Sequence, residues 1–176
     1  GLISRCENDG KISTTVVIAQ NHVGGIVGLV SGANAEVTTC INHANVQGYY
    51  CVGGIAGAVK AGAEVHLSAN YGEVKGNGII GGVAGRVSTT GMYSNGSAKE
   101  CAVYDVYNLG QVSGYGTTAG SEMGGIVGEA GYENWKQEAL PPMPVIERAY
   151  SVPISSGVNR NGGIIGYLLS GCYGTV

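Results

Sequence analysis

From Asn42 to Gly57 the chain reads Asn-His-Ala-Asn-Val-Gln-Gly-Tyr-Tyr-Cys-Val-Gly-Gly-Ile-Ala-Gly, and both ends of this stretch recur along the 176 residues. The closing motif, Gly-Gly-aliphatic-small-Gly, begins at Gly24 (GGIVG), Gly53 (GGIAG), Gly81 (GGVAG), Gly124 (GGIVG) and Gly162 (GGIIG). The opening motif runs in phase with it, from Asn8 to Ile12, Asn42 to Val46, Asn70 to Val74 and Asn108 to Val112. A fifth, weaker copy spans Arg148 to Ile154, with Tyr150 in place of the Asn. The Gly-Gly motifs start 29, 28, 43 and 38 residues apart, a unit of about 28 residues with insertions in the later copies. Self-similarity at such a period marks units that stack on one another.

Each unit is strand rather than helix. Apolar residues alternate with a period of two, so that Ile26, Gly28 and Val30 share a face, as do Ile55, Gly57 and Val59, then Val83, Gly85 and Val87, and finally Ile164, Gly166 and Leu168. That face is expected to look inward, because the opposite one accepts Arg86 and Glu129. Two further columns are β-branched: Ile12, Val46, Val74, Val112 and Ile154, and Val37, Val65, Val103 and Val145. With 33 Gly, no Phe and no apolar stripe of period 3.6, helical repeats fit poorly. The pattern predicts one domain over residues 1–176, an all-β, right-handed parallel β-helix of about five rungs, three strands to a rung, with two outward insertions. These insertions are expected over about residues 88–101 and 130–145. Neither end carries an evident polar cap, so the chain reads as part of a longer coil.

Asn8, Asn42, Asn70 and Asn108 read as a structural turn ladder, their amides bonding to one another and to turn backbone. Five cysteines leave at least one unpaired. Cys6 and Cys40 share a repeat column, so both a cross-rung disulfide and a pair of buried free thiols are open.

Composition bounds the function. A net charge of −3, with nine scattered Lys and Arg, provides no basic stripe for nucleic acid. No apolar run approaches a membrane span. The only aspartates, Asp9 and Asp105, occupy different repeat positions, which disfavours a paired-acid glycosidase site. Glu73 with Glu36 or Glu64 is a weaker candidate for such a pair, and these carboxylates read first as solvated. His22, His43 and His66 have no metal-ligand spacing, and no cofactor is called for. Cys40 and His43 are close in sequence but have no orienting third group. The glycines alternate inside strands instead of entering a helix, so they make no phosphate loop. Recognition is therefore expected in the insertions, where Tyr93, Tyr132 and Trp135 are candidate contacts for a glycan or protein partner.

The alternation of GGIVG with Cys-x-Asn-x-Gly/Ala-x-Val, clearest from Gly24 to Gly48 and from Gly53 to Gly76, resembles the GLUG-type repeats of large bacterial surface and secreted proteins. That resemblance implies an extracellular, cell-surface or secreted parent whose repeats form a β-solenoid stalk or adhesive region. Similar repeats accompany the zinc metalloproteases that cleave immunoglobulin A1, apart from their catalytic domain. No zincin helix occurs here, so no protease residue carries over. The expected function is non-enzymatic, a rigid structural or adhesive segment with host or matrix glycans or proteins as partners. The alternatives are a non-catalytic or carbohydrate-active β-helix region of a secreted enzyme, and a segment that associates end to end into fibres.

Overall fold

The computed structural model describes residues 1–15, 17, 21–89, 99–115, 121–132, 142–152 and 160–169. The first repeat contributes β1 (Leu2–Ser4), β2 (Glu7–Asn8), β3 (Ile12–Ser13), β4 (His22–Gly24) and β5 (Val27–Ser31). The second contributes β6 (Glu36–Thr38), β7 (Ile41–Asn42), β8 (Val46–Gln47), β9 (Cys51–Gly53) and β10 (Ala56–Lys60). The third contributes β11 (Glu64–His66), β12 (Ala69–Asn70), β13 (Val74–Gly76), β14 (Ile79–Gly81) and β15 (Ala84–Thr89). In the fourth, one longer strand, β16 (Ala102–Asn108), replaces the first two and is followed by β17 (Val112–Gly114), β18 (Glu122–Gly124) and β19 (Val127–Tyr132). The fifth contributes β20 (Val145–Ser151), β21 (Arg160–Gly162) and β22 (Ile165–Leu168).

Corresponding strands pair in parallel, repeat on repeat, into four sheets, and none of the four closes on itself. Sheet A holds β1, β6, β11, β16 and β20 together with β2, β7 and β12; sheet B holds β3, β8, β13 and β17; sheet C holds β4, β9, β14, β18 and β21; sheet D holds β5, β10, β15, β19 and β22. The described residues are all-β, and each of the first four repeats contributes to four sheets where three strands had been expected. The extra sheet follows from the Gly-Gly motif, which turns the chain sharply between sheets C and D.

This doubling back divides the interior in two. Sheets A and D enclose one core, with Val37, Val65 and Val103 facing Val30, Val59, Val87 and Ala130. Sheets B and C enclose a second, with Val46, Val74 and Val112 facing Val23, Val52, Ile80 and Met123. Each fully buried Val or Ile contributes roughly 1.5–3 kcal/mol of transfer free energy. Ile55 and Val59 point into the first core, but Gly57 between them does not share their surroundings. A Cβ on Gly57 would stand 2.4 Å from the Val23 nitrogen of β4, and one on Gly85 2.6 Å from the Val52 nitrogen of β9. The motif's last glycine thus lets the backbones of sheets C and D touch.

Register corrects the sequence alignment of the fifth repeat by one residue. Ile146, not Val145, pairs with Val103, and Ser151, not Tyr150, pairs with Asn108. Ile154 lies outside the described residues. The insertions also divide differently. β15 continues to Thr89 and β19 to Tyr132, so part of each expected loop is strand. In addition, the path from sheet B to sheet C is longer in the first and fourth repeats than in the second and third.

Candidate functional site

Between the two cores runs a spine that unites the two sequence motifs. Asn8 Nδ2 donates to Asn42 Oδ1 at 2.8 Å, Asn42 Nδ2 to Asn70 Oδ1 at 2.7 Å, and Asn70 Nδ2 to Asn108 Oδ1 at 2.7 Å. Asn108 Nδ2 reaches Ser151 Oγ at 3.4 Å. Each of the three later amides also donates to the carbonyl two residues on, at Ala44, Gly72 and Gly110. Asn42, Asn70 and Asn108 are fully buried, so this saturation is what makes polar groups tolerable inside the stack. The second glycine of the first four Gly-Gly pairs packs on the ladder: Gly25 on Asn42, Gly54 on Asn70, Gly82 on Asn108 and Gly125 on Ser151.

The outer side of sheet A is the richest described surface for recognition. Its strands bend at Arg5, Thr39, Leu67, Asp105 and Arg148, a column of non-glycine residues with φ between 45° and 56°. On the β1, β6 and β11 side of the bend lies an ionic ladder. His66 Nε2 and Glu36 Oε1 are 2.6 Å apart, and the His66 ring stacks on Tyr104 with centroids 4.7 Å apart. Tyr104 donates to Glu64 Oε2 at 3.1 Å, and Glu64 also pairs with Lys99. The Lys99 hydrogen bond holds the Glu64 carboxyl below its ordinary range, while burial and then Glu64 itself push the Tyr104 phenol up. Arg148 lies 5.4 Å from the Tyr104 ring and donates to Asp105 Oδ2 at 3.0 Å, which lowers the Asp105 carboxyl.

Beyond the bend the surface is aromatic. His43 stacks on Tyr71 with centroids 5.2 Å apart, and Tyr71 meets Tyr107 edge-on, their hydroxyls 2.8 Å apart. Tyr150 is the register neighbour of Tyr107 on the next repeat and is 61% exposed; Leu67 and Leu109 flank the strip. Rings and ion-paired polar groups side by side suit a partner that is apolar on one face and hydrogen-bonding on the other.

The other sequence candidates are scattered. Cys6 and Cys40 are both free thiols, Cys6 exposed and Cys40 buried, and desolvation raises the Cys40 thiol. Cys40 points inward whereas His43 is outward on the aromatic strip, so the two form no dyad. Glu36 and Glu64 are register partners on sheet A, while Glu73 accepts a hydrogen bond from Ser113 beside sheet B. Tyr132 ends β19. Tyr93 and Trp135 lie outside the described residues. Among the described residues no helix is long and apolar enough to cross a membrane.

The aromatic strip was missed in the sequence because its members come from different repeat positions. Tyr71 occupies the place of His43, one residue after the Asn, whereas Tyr107 stands one residue before it. Only the phase of the Asn ladder would have revealed that both point outward.

No protein-family model matches the chain, and neither does any curated protein. Among solved structures, the chain is similar to a crystal structure described as "a putative immunoglobulin A1 protease from Bacteroides ovatus". The similarity covers 86% of this chain and 49% of that one, with a TM-score of 0.57 and 18% sequence identity. The likeness is one of fold. The chain spans about half the length of the protein it matches.

Proposed function

We propose that the chain is a right-handed parallel β-helix segment of a bacterial surface or secreted protein, of the GLUG-repeat kind, and that it acts without catalysis as a rigid spacer carrying a recognition surface. The observation that carries this reading is the continuous spine of Asn amides and glycines beneath an outward aromatic strip. A stack in which each backbone bonds to the next is stiff along its axis. His43, Tyr71, Tyr107 and Tyr150 then lie at fixed spacing on its side, which suits a repetitive partner such as a glycan chain. The fold shared with the Bacteroides ovatus structure supports a secreted parent in which this segment stands beside other regions.

A carbohydrate-active version would draw on Glu36 and Glu64. Glu64 is held ionised by Lys99, and Glu36 is engaged by His66, so neither is suited to serve as the protonated acid.

A glycan and matrix-protein array tests the reading. The expected result is binding by the wild-type chain that Tyr107→Ala with Tyr150→Ala, or Trp135→Ala with Tyr132→Ala, weakens at least about tenfold without lowering thermal stability. Turnover of a polysaccharide or of immunoglobulin A1 by the purified chain, lost in Glu36→Gln or Glu64→Gln, would overturn it.

A further inference from the structure

A second concave surface lies on sheet B, away from the aromatic strip. Ile12, Val46, Val74 and Val112 turn into the core between sheets B and C, and their strand neighbours Gln47 and Lys75 consequently point outward. Tyr115, on the fourth repeat, reaches across the third to donate its hydroxyl to the Gly48 carbonyl of the second at 2.7 Å. Its ring is thereby fixed as one wall of a groove of about 450 Å³, which Tyr49, Lys75, Gln47, Thr14 and Thr15 help to line. Burial, and then Tyr49, push the Tyr115 phenol up, so it remains a donor at neutral pH.

The lining has a specific chemistry. The Lys75 side chain makes no hydrogen bond or ion pair among the described residues, and it lines a groove with two phenol rings. Among the described residues Val17 is the one aliphatic residue of the lining. β8 and β13, which carry Gln47 and Lys75, are paired on both sides, so a peptide cannot add to them as a strand. Phenol faces accept sugar C–H groups, amide and hydroxyl groups bond sugar hydroxyls, and an unpaired ammonium selects a carboxylate. We propose that this groove binds a carboxylate-bearing sugar, the uronic acid unit of an acidic polysaccharide.

The test is saturation-transfer NMR on the whole chain with D-glucuronate and D-glucose as probes. Glucuronate should bind about tenfold more tightly than glucose, as expected for one charge-assisted hydrogen bond. Lys75→Ala and the near-isosteric Lys75→Gln should each erase that difference, Lys75→Arg should keep most of it, and Tyr49→Ala should weaken both sugars. Tyr107→Ala with Tyr150→Ala should change nothing here, which separates this groove from the surface on sheet A. Circular dichroism verifies that each variant is folded, and Lys75→Gln decides should Lys75→Ala unfold. Equal binding of the two sugars, no transfer to either, indifference to both Lys75 variants, or tighter competition by an acidic peptide would overturn the proposal.

Discussion

Asn70 lies directly against Gly54: a Cβ built on Gly54 would stand 2.3 Å from the Asn70 Cγ and 2.2 Å from the Gly82 carbonyl oxygen. The two motifs therefore keep phase because they are two halves of one contact. The amide needs a flat, unsubstituted neighbour, and the glycine needs a planar group that fills the space without pushing on it.

Gly54→Ala should consequently lose about 1–3 kcal/mol, since the obstacles are backbone and a hydrogen-bonded amide that cannot step aside. Gly163→Ala, where a Cβ meets nothing within 4 Å, should change stability little. Urea unfolding of the two variants measures the contrast, and equal effects would contradict the assignment.

Asn70→Ala should cost about 2–4 kcal/mol, because it removes two ladder bonds and the bond to Gly72 from a fully buried position. Asn8→Ala, at the partly exposed start of the ladder, should cost about 1 kcal/mol or less. The ratio between the two is the quantity to measure.

How much of this was legible in the sequence differs from element to element. Parallel stacking was readable, because columns such as Val46, Val74 and Val112 need similar residues at every repeat. The two-core cross-section was not, since nothing in GGIAG announces that Gly57 meets the backbone of β4 while Ile55 meets the core. The bend in sheet A was also hidden. A corner with φ near 50° suggests glycine, yet Arg5, Thr39, Leu67, Asp105 and Arg148 occupy it. Burial of the neighbouring columns overrides the local preference. In the candidate site, single residues such as Glu36, Glu64 and His66 were noted, but their grouping depends on which repeats adjoin.

That strained column yields a third prediction. Leu67 has φ 48° and is 58% exposed, so its side chain contributes little that Asn would lose. A non-glycine residue in this region costs roughly 1–2 kcal/mol, and Asn tolerates it better than Leu. Leu67→Asn should raise stability by about 0.5–1 kcal/mol and Leu67→Val should lower it, as read by chemical denaturation.

Glu122 is buried on β18, its Oε1 accepts from Arg160 at 2.7 Å, and its Oε2 has no hydrogen-bond partner among the described residues. Desolvation raises its carboxyl above the ordinary value. A carboxyl that binds its proton more tightly folded than unfolded makes the folded state less stable as pH rises past the unfolded value of about 4.3. Glu64 and Asp105 shift the other way, so their contribution is lost only as pH falls below about 4. Thermal stability should therefore increase from pH 7 towards pH 5, and Glu122→Gln should flatten that slope.

The thiols should react in order of exposure. Cys6 is exposed, whereas Cys40, Cys51 and Cys101 are buried and desolvation raises the thiols of Cys40 and Cys101. Brief alkylation of the folded chain followed by mass spectrometry should find Cys6 modified ahead of those three, and all of them modified only after unfolding.

The Asn ladder has one further property. Each of the three Asn–Asn links runs from the Nδ2 of one repeat to the Oδ1 of the next, so the four amide dipoles point the same way along the column. Aligned dipoles reinforce one another, and an inverted unit would set donor against donor. The stack is a one-way sequence of interchangeable blocks: a repeat can be copied, deleted or exchanged during evolution or by engineering, provided that its polarity is kept.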